Sequence, residues 1–156
     1  MRCRFVWFCC LALGALLSAC HAPEQPTVRV AEGVRMEGQD SLGWNFTIGL
    51  SADNPNPKPL KVSKAKFDVW LNTTSLGALE LLEPVVLPPG NFQNLQVRVR
   101  LKLRTQADGL RLMLSADQNL LEAIEVEGKV RGHYGGVRKT VKVPRQPLER
   151  LLKDYH

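Results

Sequence analysis

The side chains with the widest chemical reach in this chain are three histidines and four cysteines. His21, His133 and His156 stand far apart in sequence. None has a neighbour at the spacing of a zinc-ligand pair, a zincin or a nucleophile triad motif. Carboxylates that could pair for acid–base work are Asp53 with Asp68, or members of the set Glu122, Glu125 and Glu127. Such acids act catalytically only when they converge in one cleft, and carboxylates on strands and loops are ordinarily solvated. No Walker or G-x-G-x-x-G loop occurs. The reading is therefore of no catalytic residue, no cofactor and no metal ligand set.

The cysteines carry a different message. Arg2 and Arg4 open the chain, and Phe5 to Leu17 is an uncharged apolar run with one glycine. That run is too short to cross a hydrocarbon layer of ~30 Å, which takes about 20 residues, but it suits a signal peptide. Leu17-Ser18-Ala19-Cys20 then matches the bacterial lipobox. The match implies cleavage before Cys20 and lipid on its thiol. Residues 1–19 read as a lipoprotein signal peptide and 20–27 as the lipidated Cys20 with a polar, proline-containing tether. Cys3, Cys9 and Cys10 fall in the removed segment, so the body has no disulfide and no thiol nucleophile. His21, where an aspartate would retain a lipoprotein in the inner membrane, points to the outer membrane, facing the periplasm. The expected setting is the bacterial cell envelope.

Charge supplies one more candidate site. Lys+Arg number 21 against 15 Asp+Glu, a formal +6. That is basic but too dilute for a nucleic-acid tail, so nucleic acid is not expected as a partner. Arg98, Arg100, Lys102 and Arg104 occupy alternate positions of one strand-like run. At about 6.8 Å spacing they would line one face, and four like charges there favour an anionic neighbour. Phospholipid headgroups, lipopolysaccharide phosphates or an acidic glycan fit that chemistry. An envelope protein is the other class of partner, and the oligomeric state is open. A solvated face that discourages edge pairing is the plainer alternative. Trp70 shares the parity of Lys64, Lys66 and Asp68, which makes it either a partner anchor or a residue covered by a helix or loop.

The elements that must position these groups are mostly strands. Leu95, Val97, Val99, Leu101 and Leu103 alternate with Gln96, Arg98, Arg100, Lys102 and Arg104. This period of two predicts a half-buried antiparallel strand, with Val99 in the core and Arg100 in solvent. Trp44 to Leu50 and Lys64 to Leu71 alternate likewise. Val28 to Met36 fits a first strand interrupted near Gly33, and Leu79 to Leu87 fits short strands broken at Pro84. Ile124 to Val130 and Val137 to Val143 form a hairpin across Gly132–Gly136. Pairing residue 130 with 137 sets 126 against 141 and Glu125 against Lys142. Ala107 to Leu121 reads as a short helix or two helical turns, with Leu110, Met113 and Leu114 spaced for one face. Leu148, Leu151, Leu152 and Tyr155 suggest a last helical stripe after Pro147. The fold class is mainly β, a single antiparallel β-sandwich with one or two short helical elements.

The stretch Leu50-Ser51-Ala52-Asp53-Asn54-Pro55-Asn56-Pro57-Lys58-Pro59 is the distinctive one. It is followed by Ala65 to Asn72, Leu76-Gly77, Leu87-Pro88-Pro89-Gly90 and the strand from Leu95. This ordered set resembles the late embryogenesis abundant group 2 family, in its WHy (water stress and hypersensitive response) form. The resemblance spans residues 28–145, with 146–156 as a short helical tail. It implies a fibronectin-III- or immunoglobulin-like sandwich without catalytic residues or cofactor, and a link to desiccation and stress tolerance. The expected function is a non-catalytic, membrane-anchored lipoprotein that stabilises or scaffolds envelope components. The alternative is a binding module that uses Arg98, Arg100, Lys102 and Arg104. Three prolines in five residues cannot sit in a central strand, so the Asn-Pro repeat itself reads as a stiff crossover with asparagine-capped turns.

Overall fold

The computed structural model describes residues 24–115 and 120–153. The expected signal segment, Cys20, His21, Tyr155 and His156 lie outside the described residues. Strands β1 (Thr27–Asp40), β2 (Gly43–Asn54), β3 (Leu60–Leu71), β4 (Thr74–Leu81), β5 (Val85–Leu87) and β6 (Gly90–Leu103) come first. Helices α1 (Gln106–Leu114) and α2 (Leu120–Ala123) follow, then strands β7 (Ile124–Tyr134) and β8 (Val137–Pro147) and helix α3 (Leu148–Lys153). The expected break at Pro84 separates β4 from β5, and the expected irregularity near Gly33 is a register shift in β1.

The mainly β, antiparallel architecture is as expected. Its division into two stacked sheets is not what the hydrogen bonds draw. The strands form one sheet in the order β1-β2-β6-β4-β3-β7-β8, curled into a half-barrel, with β5 paired to β3. The joint between the halves is β4, which pairs with both β6 and β3. Toward its other end β3 turns to β5, at Leu60 to Val62. The sheet can therefore curl without ever breaking its ladder.

The core fills one end of the curl. Trp44, Val69, Leu71, Leu76, Leu101 and Leu103 meet Leu112 of α1 and Ile124 and Val126 of β7. Leu148 of α3 packs against the same cluster. Helix α1 closes this end by a different face from the one its apolar spacing predicts. Thr105 caps the helix, accepting from the Asp108 backbone N–H, while Asp108 reaches back to the Thr105 N–H. This box turns Asp108, Gly109 and Leu112 inward. A Cβ on Gly109 would stand 2.9 Å from Leu103 Cδ1 and 3.1 Å from Trp44 Cζ2, so glycine sets the close approach. Leu110, Met113 and Leu114 are left in solvent, at 59%, 52% and 79% exposure.

The terminal hairpin also departs from its expected register. Gly135 and Gly136 both take left-handed φ, at 55° and 87°. They make a two-residue turn that needs positive φ twice, so the ladder runs to the tip. Tyr134 pairs with Val137 and Val130 with Val141. The register is thus displaced by four residues from the 130–137 pairing. An even displacement keeps the same residues on the core face, so Val126 and Val143 are buried as expected. Lys142 stands opposite Lys129 instead of Glu125.

The packing yields a paired test. Leu76 is fully buried at the centre of the cluster. Leu76→Ala should cost about 2–5 kcal/mol in urea unfolding. Leu110→Ala should cost well under 1 kcal/mol. Similar losses in the two variants would mean that α1 packs by its apolar stripe after all.

Candidate functional site

The basic strand run lies on β6, as expected, and its alternation holds: Val99, Leu101 and Leu103 are buried. The four cations are not a free array. Arg98 pairs with Glu37 of β1 at 3.4 Å and with Glu83 at 2.7 Å. Arg100 pairs with Asp40 and donates to Asn45 Oδ1 at 3.1 Å. Its guanidinium occupies the space that a Cβ at Gly43 would fill. Arg100 is therefore half-buried, not exposed as parity alone suggested. Lys102 meets Glu80 of β4 at 2.5 Å, and Glu80 also holds Lys66 at 3.3 Å. Among the described residues only Arg104 of the four has no ion-pair partner. An external anion on this ladder would have to displace Glu37, Asp40, Glu80 and Glu83.

The acids record that environment. A hydrogen bond from Thr47, then Arg98, lowers Glu37 below its usual value. Arg100 and the Leu42 N–H do the same for Asp40, and Lys102 followed by Lys66 for Glu80. These are exposed pairs and each contributes little alone.

The Asn-Pro segment is a buried knot. Asn54 and Asn56 are 1% and 6% exposed. Asn54 Nδ2 donates to the carbonyls of Lys58 and Leu87, at 2.9 and 3.1 Å. Its Oδ1 accepts from both the N–H and the Nδ2 of Asn56. Asn56 then grips the incoming chain, giving Nδ2 to the Glu24 carbonyl and accepting from the Glu24 N–H, both at 2.8 Å. No buried side-chain polar atom among the described residues lacks a partner. The motif is a structural crossover, as read from its prolines.

Local contacts hold several of the remaining candidates. His133 touches Ser63 Oγ at 3.1 Å, beside a depression of about 330 Å³ bordered by Lys58, Lys61 and Val86. Asp53 accepts the Thr27 N–H, and Glu125 holds Arg145. Arg145 also lies over Trp70, 4.4 Å from the ring centroid. Arg145 of β8 thus covers one face of Trp70. Among the described residues no three His, Cys, Asp or Glu side chains gather to hold a metal.

The family model described as late embryogenesis abundant protein matches residues 49–146, from the middle of β2 almost to the end of β8. The chain belongs to the late embryogenesis abundant protein family. That family is generally non-enzymatic. A crystal structure of a protein from Archaeoglobus fulgidus is similar at 12% identity and TM-score 0.49, over 80% of this chain and 94% of that one. A solution structure from Arabidopsis thaliana gives 12%, 0.38, and coverages of 81% and 87%. That of a late embryogenesis abundant protein gives 12%, 0.36, and 83% and 75%. No curated protein sequence matches.

Both features of the site are testable. Asn54→Ala would orphan the buried Asn56 N–H and Leu87 carbonyl and should cost about 2–5 kcal/mol in denaturant unfolding. A loss under 1 kcal/mol would show that the crossovers hold without the knot. For the ladder, Glu80 has a folded pKa below its unfolded value. Its ion pairs therefore stabilise the fold above about pH 4.5 and are lost as pH falls through the lower, folded value. Glu80→Gln should make the acid side of the stability–pH curve shallower than in the parent. Parallel curves would remove Glu80 from the account.

Proposed function

We propose that this member of the late embryogenesis abundant family is a non-catalytic, WHy-type lipoprotein that stabilises or scaffolds components of the bacterial envelope during stress. Family membership supports the stress-related part. The lipobox ending at Cys20 supports the anchor, and His21 supports the outer membrane, facing the periplasm.

One observation supports a short link between such an anchor and the fold. The chain enters the domain at Glu24, whose N–H and carbonyl are both held by Asn56. Cys20 is four residues earlier. Four extended residues reach about 14 Å at most. The crossover pole would then ride close to the headgroups, and the knot would transmit the anchor's position to a rigid sheet. Among the described residues no helix is long and apolar enough to cross a membrane. Two acyl chains hold a protein where one does so only marginally.

Cys20→Ala tests the anchor. In a bacterial host the parent should incorporate labelled palmitate and float with membranes. The variant should do neither and should accumulate as unprocessed precursor. Normal labelling of the variant would overturn the assignment.

A further inference from the structure

A second array of cations lies on the side of the sheet away from the core, on β3, β7 and β8. Lys66, Lys129 and Lys142 stand in register across the three strands. In the next row Lys64 faces Arg131, and the register after it aligns Lys61, His133 and Arg138. Strands lie about 4.8 Å apart and side chains of one face repeat every ~6.8 Å, so these charges form a dense field on the outer side of the curl. Like charges directly opposite one another destabilise a sheet.

Among the described residues one carboxylate, Glu80, pairs with this field. Lys66 shares Glu80 with Lys102. Lys61, Lys64, Lys129, Arg131, Arg138 and Lys142 have no carboxylate within ion-pair distance among the described residues. The contrast with β6 is plain, because three of its four cations each have an acid placed against them. Protection of a sheet edge accounts for basic residues on β8, which is an edge strand. It does not account for those on β3 and β7, which are interior strands.

The charge is also graded along the strands. Toward the core end the same face becomes acidic, where Asp68 stands opposite Glu127 and Glu125 follows. The basic end is the crossover pole. There β3 begins directly after the knot that holds Glu24. Lys58 reaches the hairpin tip, its Cδ 3.3 Å from where a Cβ on Gly135 would be. The positive end of the face thus adjoins the place where the chain enters.

We propose that this face docks on anionic phospholipid headgroups, with Lys61, Lys64, Lys129, Arg131, Arg138 and Lys142 as the contact residues. The spread of the array over three strands fits an extended charged surface better than a small anion, and the chain enters beside it. From the anchor reading the proposal takes only that a bilayer lies near Glu24. Docking by this face would add an orientation to what the anchor supplies as proximity.

The test is lysine acylation of the lipidated protein, purified from a bacterial host and reconstituted in vesicles, read residue by residue by mass spectrometry. With phosphatidylglycerol in the vesicles and low salt, labelling of Lys64, Lys129 and Lys142 should fall several-fold relative to pure phosphatidylcholine. Lys139, of opposite side-chain parity on β8, should label equally in both. Protection should vanish at 1 M salt, where the Debye length is about 3 Å. The combined Lys64→Glu, Arg131→Glu and Lys142→Glu variant should lose the protection of Lys129. Equal labelling in the two vesicle types would overturn the proposal. Protection by soluble heparin without protection by vesicles would overturn it in favour of a glycan. Flotation with neutral vesicles reports the anchor and the labelling difference reports the face, so either can fail alone.

Discussion

Two crossovers between the halves of one sheet must be held at the same place, and a single buried amide holds them. Strand β2 belongs with β1 and β6, while β3 belongs with β4 and β7, so the chain after Asn54 has to leave one half for the other. The chain after Leu87 makes the return journey, from β5 on β3 to β6 on β2. Asn54 Nδ2 bonds the carbonyls of Lys58 and Leu87, one from each crossing. An asparagine suits this position because its amide donates twice and its carbonyl accepts twice within one small side chain. Burial makes the arrangement obligatory, since each group left unpaired there would cost far more than in water. The prolines that flank it restrict the segment to extended and turn conformations before any contact forms. Asn56 extends the same network to Glu24, so the entering chain is part of the knot.

Much of this was legible. Strict alternation in Leu95 to Arg104 identifies both the strand and its buried side, because a side chain's direction in a strand depends only on parity. Proline chemistry identifies Asn54 to Pro59 as a crossover without a structure. What parity cannot give is the identity of the residue across the ladder. The β6 cations looked like an unbalanced row because Glu37, Asp40, Glu80 and Glu83 are distant in sequence and come from β1, β4 and the loop after it. The hairpin was misread by four residues for a related reason. Several registers preserve the same buried set, and only the Gly135–Gly136 turn, which requires two left-handed residues, chooses among them.

Helix α1 shows a different limit. Its apolar residues Leu110, Met113 and Leu114 have the spacing of a buried stripe, yet they are exposed. The helix is oriented by its first turn, where Thr105 and Asp108 cap each other, and by Gly109, which admits the ring of Trp44 and the side chain of Leu103. A short helix has few apolar contacts to offer, so capping and one close approach outweigh the stripe. The sheet itself was read as two stacked layers because many short strands with turns usually make a sandwich. The bridging role of β4, one side on β6 and the other on β3, was invisible to periodicity and converts the layers into one curl.

The two ends of the curl are consequently unlike. At the core end, apolar side chains from β2, β3, β4, β6 and β7 are closed over by α1 and α3. At the crossover end the interior is closed by amides, and the surface beside it carries cations on three strands. Stability is concentrated at the end that an anchor at Cys20 would hold farthest from a membrane. The end it would hold nearest is rigid for another reason, a hydrogen-bonded knot that needs no large apolar cluster. A domain built in this way keeps its basic face in a fixed relation to its point of entry without relying on a flexible tether.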